Sequence, residues 1–248
     1  MTENEEFFFA KERAMADFTA ASSGIGTLGE KLVHKTLKLY LEPRESFHEI
    51  SFLGSVADIK NEKGIVEIQT RAFDRLRPKL LKFLPEVPVT VVYPIIRKKR
   101  IFWLDKDTGE ITPPRKSPRD GRLSDALFEL SRIKELLFSE NLTVRIILLD
   151  ADEYRRLDGW DKTRKRGGGK IDRIPTAIAE EYTVRTKSDL ARLIPDGLFH
   201  EFTSADFSRR SGLRGRRASY SLSLLYTLGL LTRRKEGRGY LYSLADGL

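Results

Sequence analysis

Two runs of almost uninterrupted apolar residues constrain the fold more than any other feature of the sequence. The first run, PVTVVYPII, spans residues 88–96, and the second, LTVRIILLD, spans residues 142–150. Each run is far too short to cross a bilayer as a helix. Near-continuous apolar strands of this kind lie inside a sheet that is covered on both faces. The two runs therefore predict an α/β protein with helices flanking a sheet.

The composition bears on the partners of the protein. The chain has 248 residues, which suits one or two domains, and its net charge of +9 favours a polyanion such as nucleic acid. The sequence has no cysteine, which removes disulfides, thiolate nucleophiles and cysteine metal sites. We find no signal peptide and no membrane-spanning run, so we expect a cytoplasmic protein.

A predicted hairpin carries the most informative residues. In the stretch VADIKNEKGIVEIQT, residues 56–70, a turn at NEKG would place Asp58 opposite Glu67. Two carboxylates about 5 Å apart repel each other unless a cation lies between them or one takes up a proton. Mg²⁺ accepts one or two carboxylates and keeps several waters, and the backbone carbonyl of Ile68 would be a third ligand. The alternative is a solvated hairpin face whose charge is balanced by nearby lysines and arginines.

A predicted helix precedes the hairpin. Over residues 28–41, Val33, Leu37 and Leu41 recur at helical spacing, and Glu30 falls within their stripe. A carboxylate on an apolar face is costly unless it is paired or binds a ligand. Thr27 and Glu30 also have the spacing of a capping box, which would give Glu30 a structural role instead. His34, one turn further on, is expected to pack or to support the site.

The hairpin and the preceding helix together resemble the PD-(D/E)XK nuclease superfamily. Asp58 matches the acidic residue of the first strand, the EIQ stretch from Glu67 to Gln69 matches the (D/E)-x-K motif, and Glu30 matches the acid of the preceding helix. The resemblance covers roughly residues 25–150 and implies a restriction-endonuclease-like mixed sheet flanked by helices. It also implies that Glu30, Asp58, Glu67 and Gln69 form the catalytic set, and that the cofactor is Mg²⁺ or Mn²⁺.

This sequence departs from the superfamily at the lysine position, which holds Gln69. The resemblance implies that the residue at this position orients the attacking water. A glutamine amide can do this but supplies no positive charge. Arg71, Lys79 and Lys82 are the candidates to supply that charge.

The end of the chain resembles a winged helix-turn-helix domain. Three short helical patterns are followed by a predicted hairpin that turns at Gly237, so we predict a nuclease-like domain over residues 1–182 and a winged-helix domain over residues 183–248. From residue 183 onward the chain has twelve lysines and arginines and six acidic residues, a net charge of +6. By the resemblance, the residues predicted to contact DNA are Arg209, Arg210, Arg214, Arg216, Arg217, Ser219, Tyr220, Arg233, Arg234, Lys235 and Arg238.

Local patterns predict several further elements. We predict a helix over SDALFELSRIKELLF with Ser124 as its N-cap, a strand over RIFWLD separate from the first apolar run, and a helix capped by Ser188. The basic, glycine-rich stretch DKTRKRGGGKIDR, residues 161–173, is expected to be a loop that either contacts phosphates or is simply solvated.

The sequence therefore predicts a metal-dependent DNA endonuclease with a winged-helix module. RNA stays open as a substrate, and a homodimer would suit the cutting of both strands of a duplex. The first alternative is a non-catalytic DNA-binding regulator built on a degenerate nuclease core. The second is an adaptor whose winged helix docks protein.

Overall fold

A mixed seven-stranded sheet forms the centre of the molecule. The structure is a computed structural model that describes residues 2–21, 29–105, 108–157 and 170–245, without the side chains of residues 18–21, 29–31 and 170–172. The strand order is β1-β2-β3-β4-β6-β7, with the short β5 paired to β4. The strands are β1 (His48–Phe52), β2 (Ser55–Asn61), β3 (Gly64–Ile68), β4 (Val89–Asp105), β5 (Arg115–Lys116), β6 (Leu142–Leu157) and β7 (Lys170–Val184).

The strand directions make this sheet mixed. The strands β1, β2 and β3 pair antiparallel, β3 with β4 and β4 with β6 pair parallel, and β6 with β7 pair antiparallel. Helices cover the sheet, namely α1 (Glu3–Ala21), α2 (Gly29–Leu41), α3 (Phe73–Phe83) and α4 (Ala126–Leu130). The prediction of an α/β protein with a mixed sheet flanked by helices is confirmed.

The two apolar runs are the buried parts of β4 and β6, as predicted. Neighbouring residues of β4 point to opposite faces: Val91 packs with the α3 side and Val92 with the α2 side. Ile146 and Ile147 divide between the same two faces on β6. Both faces of these strands are therefore buried, which is why their sequences do not alternate between polar and apolar residues.

The stretch RIFWLD is not a separate strand, so that prediction was wrong. It continues the first apolar run within the single 17-residue strand β4. The register against β6 shifts between Ile96 and Lys98, and this irregularity lets the strand bend and carry on instead of ending.

The predicted long helix from Ser124 is also wrong. The segment forms a 3-10 turn over Leu123–Asp125, the five-residue helix α4, and a second 3-10 turn over Ser131–Ile133. Ser124 is not the N-cap, because the Asp125 carboxylate accepts the Arg122 N–H at 3.0 Å and the helical run begins one residue before Ser124. The Ser124 hydroxyl instead donates to the Ser211 carbonyl, 3.3 Å away.

The last sixty residues form three helices and a small sheet. The elements are α5 (Lys187–Ala191), β8 (Glu201–Thr203), α6 (Ser204–Ser211), α7 (Arg216–Thr227), β9 (Leu231–Glu236) and β10 (Gly239–Leu244). The sheet order is β8-β10-β9, with antiparallel pairing throughout. The N-cap of α5 is Thr186 and not Ser188, because the Thr186 side chain accepts the Asp189 N–H.

One continuous apolar core joins this segment to the sheet. Leu222 and Leu225 of α7 belong to the same buried cluster as Leu127 of α4 and Ile146 of β6. The predicted division between residues 182 and 183 falls inside β7, which ends at Val184. The division of the chain into two domains stays a prediction.

None of the described helices combines the length and the apolar character needed to cross a membrane. The basic loop prediction for residues 161–173 concerns a stretch whose first nine residues lie outside the described part of the chain.

Candidate active site at the acidic hairpin

The hairpin of β2 and β3 has the predicted register. Ile59 faces Val66, Lys60 faces Ile65, and Asn61 faces Gly64. Gly64 fixes this arrangement, because its φ is +126° and a Cβ at this position would lie 2.3 Å from the carbonyl oxygen of Pro88. Only glycine fits here, and the register brings Asp58 and Glu67 to the next position.

At Asp58 and Glu67 the regular strand pairing gives way to side-chain bonds. The Ile68 N–H donates to Asp58 Oδ2 at 2.7 Å. In return, the Asp58 N–H donates to the Glu67 carboxylate. The two acidic side chains therefore fill the end of the hairpin, each bonded to the backbone of the opposite strand.

The other partners of the two carboxylates come from opposite faces of the sheet. His34 of α2 places its Nε2 3.2 Å from Asp58 Oδ2. Lys79 of α3 donates to both oxygens of Glu67, at 3.1 and 2.8 Å. We call these four residues, Asp58, Glu67, His34 and Lys79, the hairpin site.

The pKa values of the two acids are shifted in opposite directions. Glu67 is only 2% exposed. Its burial, together with the negative charge of Asp58, raises the pKa of Glu67 to about 7, against the opposing effect of Lys79. Burial also acts to raise the pKa of Asp58, but the contacts with His34 and the Ile68 N–H outweigh it and hold this pKa below 3.8. Near neutral pH Asp58 is therefore ionised, and Glu67 carries a proton in part of the molecules.

The remaining residues of the predicted catalytic set differ in how the structure places them. Glu30 lies on α2, but its side chain is outside the described residues. The Gln69 amide donates to the carbonyl oxygens of Arg71 and Ala72. It therefore braces the turn after β3, where Ala72 has a φ of +58°. In the described contacts the Gln69 amide binds this turn and neither carboxylate.

The structure distinguishes between the three basic residues proposed to replace the superfamily lysine. Lys79 reaches Glu67, whereas the ammonium of Lys82 lies 3.2 Å from the Ser55 hydroxyl, and Arg71 lies in the turn after β3. The sequence named all three but could not rank them, because the ranking depends on how α3 packs over β3.

The donor set at the hairpin suits a hard divalent cation. In the described contacts, both protein partners of the Asp58 carboxylate bond to Oδ2, which leaves Oδ1 for a ligand. Two carboxylates with water completing the shell is an arrangement that Mg²⁺ accepts. Among the described residues no group of three or more histidines and acids that could hold a metal ion is found.

The residues predicted to contact DNA are mostly exposed. Ten of the eleven lie at the surface, and Arg217 is half-buried. Arg209 is paired with Asp206, and Arg234 is paired with Glu201 and Glu236.

The beginning of α7 faces the body of the protein. The Tyr220 ring packs edge-on against Phe128 of α4 at 6.1 Å, and the Arg217 guanidinium lies 5.2 Å from the centre of the Phe128 ring. Arg216 and Ser219 are exposed. Part of the helix face predicted to read bases therefore contacts α4 instead.

Comparison with known proteins gives a family but no activity. A family model described as a domain of unknown function (DUF8091) matches residues 31–185. An uncharacterized protein of Treponema pallidum (strain Nichols) is 32% identical over 220 residues, which cover 88% of this chain and 86% of the relative. No solved structure matches the chain.

Proposed function

The chain belongs to the DUF8091 family, and we propose that it is a divalent-metal-dependent phosphodiesterase that cleaves DNA. The observation that carries this proposal is the hairpin site. There a buried glutamate and an aspartate meet at the end of a hairpin, with a lysine beside the glutamate. Buried acids with pKa values driven apart are typical of functional sites.

The order of elements supports the proposal. The helix α2, the acidic hairpin, the helix α3 and the parallel strand β4 follow one another as in the restriction-endonuclease-like core. Glu67 lies near the carboxyl end of β3, next to the parallel neighbour β4. Ligands of open α/β sheets bind outside the carboxyl ends of such strands.

The metal in this proposal is Mg²⁺ or Mn²⁺, held by Asp58, Glu67 and the Ile68 carbonyl. Such an ion offsets negative charge on the phosphate and lowers the pKa of a bound water. Glu67, whose pKa is about 7, would lose its proton when the ion binds.

Lys79 takes the role of the superfamily lysine in this proposal. Its ammonium lies 2.8 Å from Glu67, so it brings a positive charge to the phosphate that Gln69 cannot supply. Gln69 then acts as a positioning residue through the turn at Arg71 and Ala72. Glu30 stays a candidate on α2, one turn before His34.

The C-terminal segment would supply DNA affinity. Its order of helices and hairpin resembles a winged helix-turn-helix, and its net charge of +6 suits a polyanion. Exposed Arg214, Arg216, Arg233, Lys235 and Arg238 would contact phosphates. A cytoplasmic location and a homodimer are further parts of this proposal.

A second candidate function is a non-catalytic DNA-binding regulator. The observation that favours it is the saturation of Glu67, because both carboxylate oxygens already accept hydrogen bonds from Lys79. Under this alternative, the Lys79–Glu67 pair would be a structural ion pair. The chain would bind DNA but would not cut it.

The deciding experiment is a cleavage assay on plasmid and single-stranded DNA with Mg²⁺ and with Mn²⁺. We expect nicking or cutting by the wild type and none by the Asp58→Ala variant. Lys79→Met should lose most of the activity, whereas Lys82→Met, on the same helix, should keep it. Metal-independent cutting, or cutting that survives Asp58→Ala, would reject the proposed site, and binding without cutting would select the regulator.

A further inference from the structure

A basic cleft opens where the turn after β3 meets β4 and α7. It has a volume of about 560 Å³. One side is the turn at Thr70 and Arg71, which directly follows Gln69. Another is the loop around Ser117 and Arg119, and the third is the beginning of α7. Apolar residues of β4, from Pro94 to Ile96, form its floor.

The walls of the cleft are fixed in place. Gly121 packs its backbone against β4 so closely that a Cβ would lie 2.3 Å from the Ile96 carbonyl oxygen. On the opposite side, the Arg122 guanidinium donates to the carbonyl of Arg210, and Ser124 bonds to Ser211. These bonds tie the segment leading to α7 to the body, so the cleft is largely formed before any ligand arrives.

Positive charge dominates the lining. One carboxylate, Asp125, faces five cations, which are Arg71, Lys99, Arg119, Arg173 and Arg217. Asp125 is paired with Arg119 at 3.1 Å. Lys99 and Arg173 share the buried Glu153 with Arg155. The lining has five cations and one carboxylate, so its composition favours an anion.

Arg217 is a cation at the wall of the cleft, and among the described residues one of its donors is unsatisfied. Its Nε is buried, and in the described part of the chain it has no hydrogen-bond partner. A buried donor without a partner costs free energy. The Phe128 ring holds the guanidinium from one side, so its position does not depend on a ligand.

We infer that this cleft binds the phosphate of a single nucleic-acid strand, with Arg217 and Arg119 as ligands from two of its walls. The inference rests on the proposed function in one respect, namely that the bound strand is the substrate. It adds the substrate class: an unpaired strand or strand end, led from the basic cleft past Arg71 to the hairpin site.

The shape of the cleft favours an unpaired strand over a duplex. Its volume is that of a pocket for one small ligand, which matches one nucleotide with its phosphate. Proteins read a duplex across a surface of roughly 1,000 Å² or more. Enzymes that enclose a nucleotide in a pocket take it from a single strand or flip it out of the helix. An apolar floor with cations at the rim suits a base and its phosphate.

The test is fluorescence anisotropy with a labelled oligothymidylate, in EDTA so that no cleavage occurs. We expect the wild type to bind it, and Arg217→Gln and Arg119→Gln each to weaken binding by about tenfold or more, the loss typical of a charged hydrogen bond. The matched control is Arg185→Gln, which removes an exposed arginine just after β7, at the opposite end of the sheet. It should bind within about twofold of the wild type, since a lone surface charge contributes little.

Two further measurements make the result decisive. Thermal melting of Arg217→Gln shows whether the loss of the Phe128 contact unfolds the protein. If it does, the test relies on Arg119→Gln, because the Arg119 side chain is 61% exposed and lies on another wall of the cleft. A duplex of the same length should bind more weakly and respond less to Arg217→Gln.

Three results would overturn the inference: no binding of the single strand, equal losses in Arg217→Gln and Arg185→Gln, or tighter binding of the duplex. The two proposals can also fail separately. Arg217-dependent binding without cleavage in Mg²⁺ or Mn²⁺ would end the nuclease proposal and leave the cleft as a strand-binding site. Cleavage whose KM does not change in Arg217→Gln would leave the nuclease and end the inference.

Discussion

Two buried glutamates in this sheet have opposite surroundings. Glu67 on β3 is 2% exposed and Glu153 on β6 is 1% exposed. Glu67 has one lysine and a neighbouring carboxylate, and its pKa is raised to about 7. Burial acts to raise the pKa of Glu153 as well, but Lys99, Arg173 and Arg155 outweigh it and lower the pKa to about 2. Burial alone therefore does not decide how a carboxylate titrates here.

The contrast shows what each place can bind. At the hairpin site, two carboxylates have one lysine and one histidine as partners. A bound cation would therefore reduce the repulsion between the two carboxylates. Around Glu153, three cations surround one carboxylate, and two of the three line the basic cleft. That surplus suits an anion. A nuclease needs both properties side by side, a metal site and a phosphate site.

The sharpest test of this contrast is activity. Glu67→Gln keeps the shape of the side chain but removes the charge that would hold the metal. We expect cleavage to fall by about a thousandfold, since the metal supplies several kcal/mol of transition-state stabilisation. Cleavage of single-stranded DNA in Mg²⁺ measures this. Activity within tenfold of the wild type would remove Glu67 from the site.

The second test is the pH dependence of stability at Glu67. The folded pKa lies above the unfolded value, so Glu67 stabilises the fold fully below pH 4.5, and this contribution is lost as the pH rises through about 7. The change from 4.5 to about 7 corresponds to about 3 kcal/mol. In EDTA, urea unfolding should show the wild type losing this amount relative to Glu67→Gln as the pH rises. A difference that does not vary with pH would contradict the raised pKa.

The third test is the opposite slope at Glu153. Its folded pKa is lowered, so its contribution is present above pH 4.5 and is lost as the pH falls towards 2. Glu153→Gln would leave three cations without their carboxylate. Their side chains are 19–32% exposed, so water screens part of the cost, and we expect a loss of roughly 2 kcal/mol at neutral pH. Urea unfolding at neutral and acid pH checks both the size and the sign.

The smallest expected effect separates two lysines of α3. Lys79→Met removes the cation beside Glu67 and should raise the pKa of Glu67 by about one further pH unit, since a nearby opposite charge typically changes a carboxyl pKa by 1–3. Lys82→Met removes a lysine that contacts Ser55 and should leave that pKa unchanged. Carbon-detected NMR titration of the glutamate carboxyls distinguishes the two variants. Equal changes would show that Glu67 responds to overall charge and not to its partner.

The sequence predicted those features that depend on local pattern. The apolar runs of β4 and β6 predicted a covered sheet, and the NEKG turn with Gly64 predicted the hairpin register. That register put Asp58 and Glu67 at the same end of the hairpin, although their partners His34 and Lys79 come from opposite faces of the sheet. The turn at Gly237 and the helix start after Thr203 were likewise predictable, because turn and capping residues act locally.

Features that depend on packing between distant segments were not predictable in this way. The sequence offered Lys79 only as one of three candidates, because its reach to Glu67 depends on where α3 lies over β3. The Glu153 cluster was missed, since its partner Arg173 comes from β7 and pairs with Glu153 only through the sheet register. The broken helix around α4 was missed for the same reason. Its residues bond to other elements, as when Glu129 accepts the N–H of Phe73.

The shared core between the sheet and the last helices limits how this chain can be shortened. Leu127, Leu130 and Ile133 are fully buried in the same cluster as Leu222 and Leu225 of α7. A fragment trimmed to residues 31–185, the range of the family match, would lack α7 and expose the apolar residues that pack against it. A large exposed apolar patch promotes self-association. Expression and crystallisation should therefore start from a piece that keeps α7, and an aggregating truncation would say nothing about the chemistry of the intact chain.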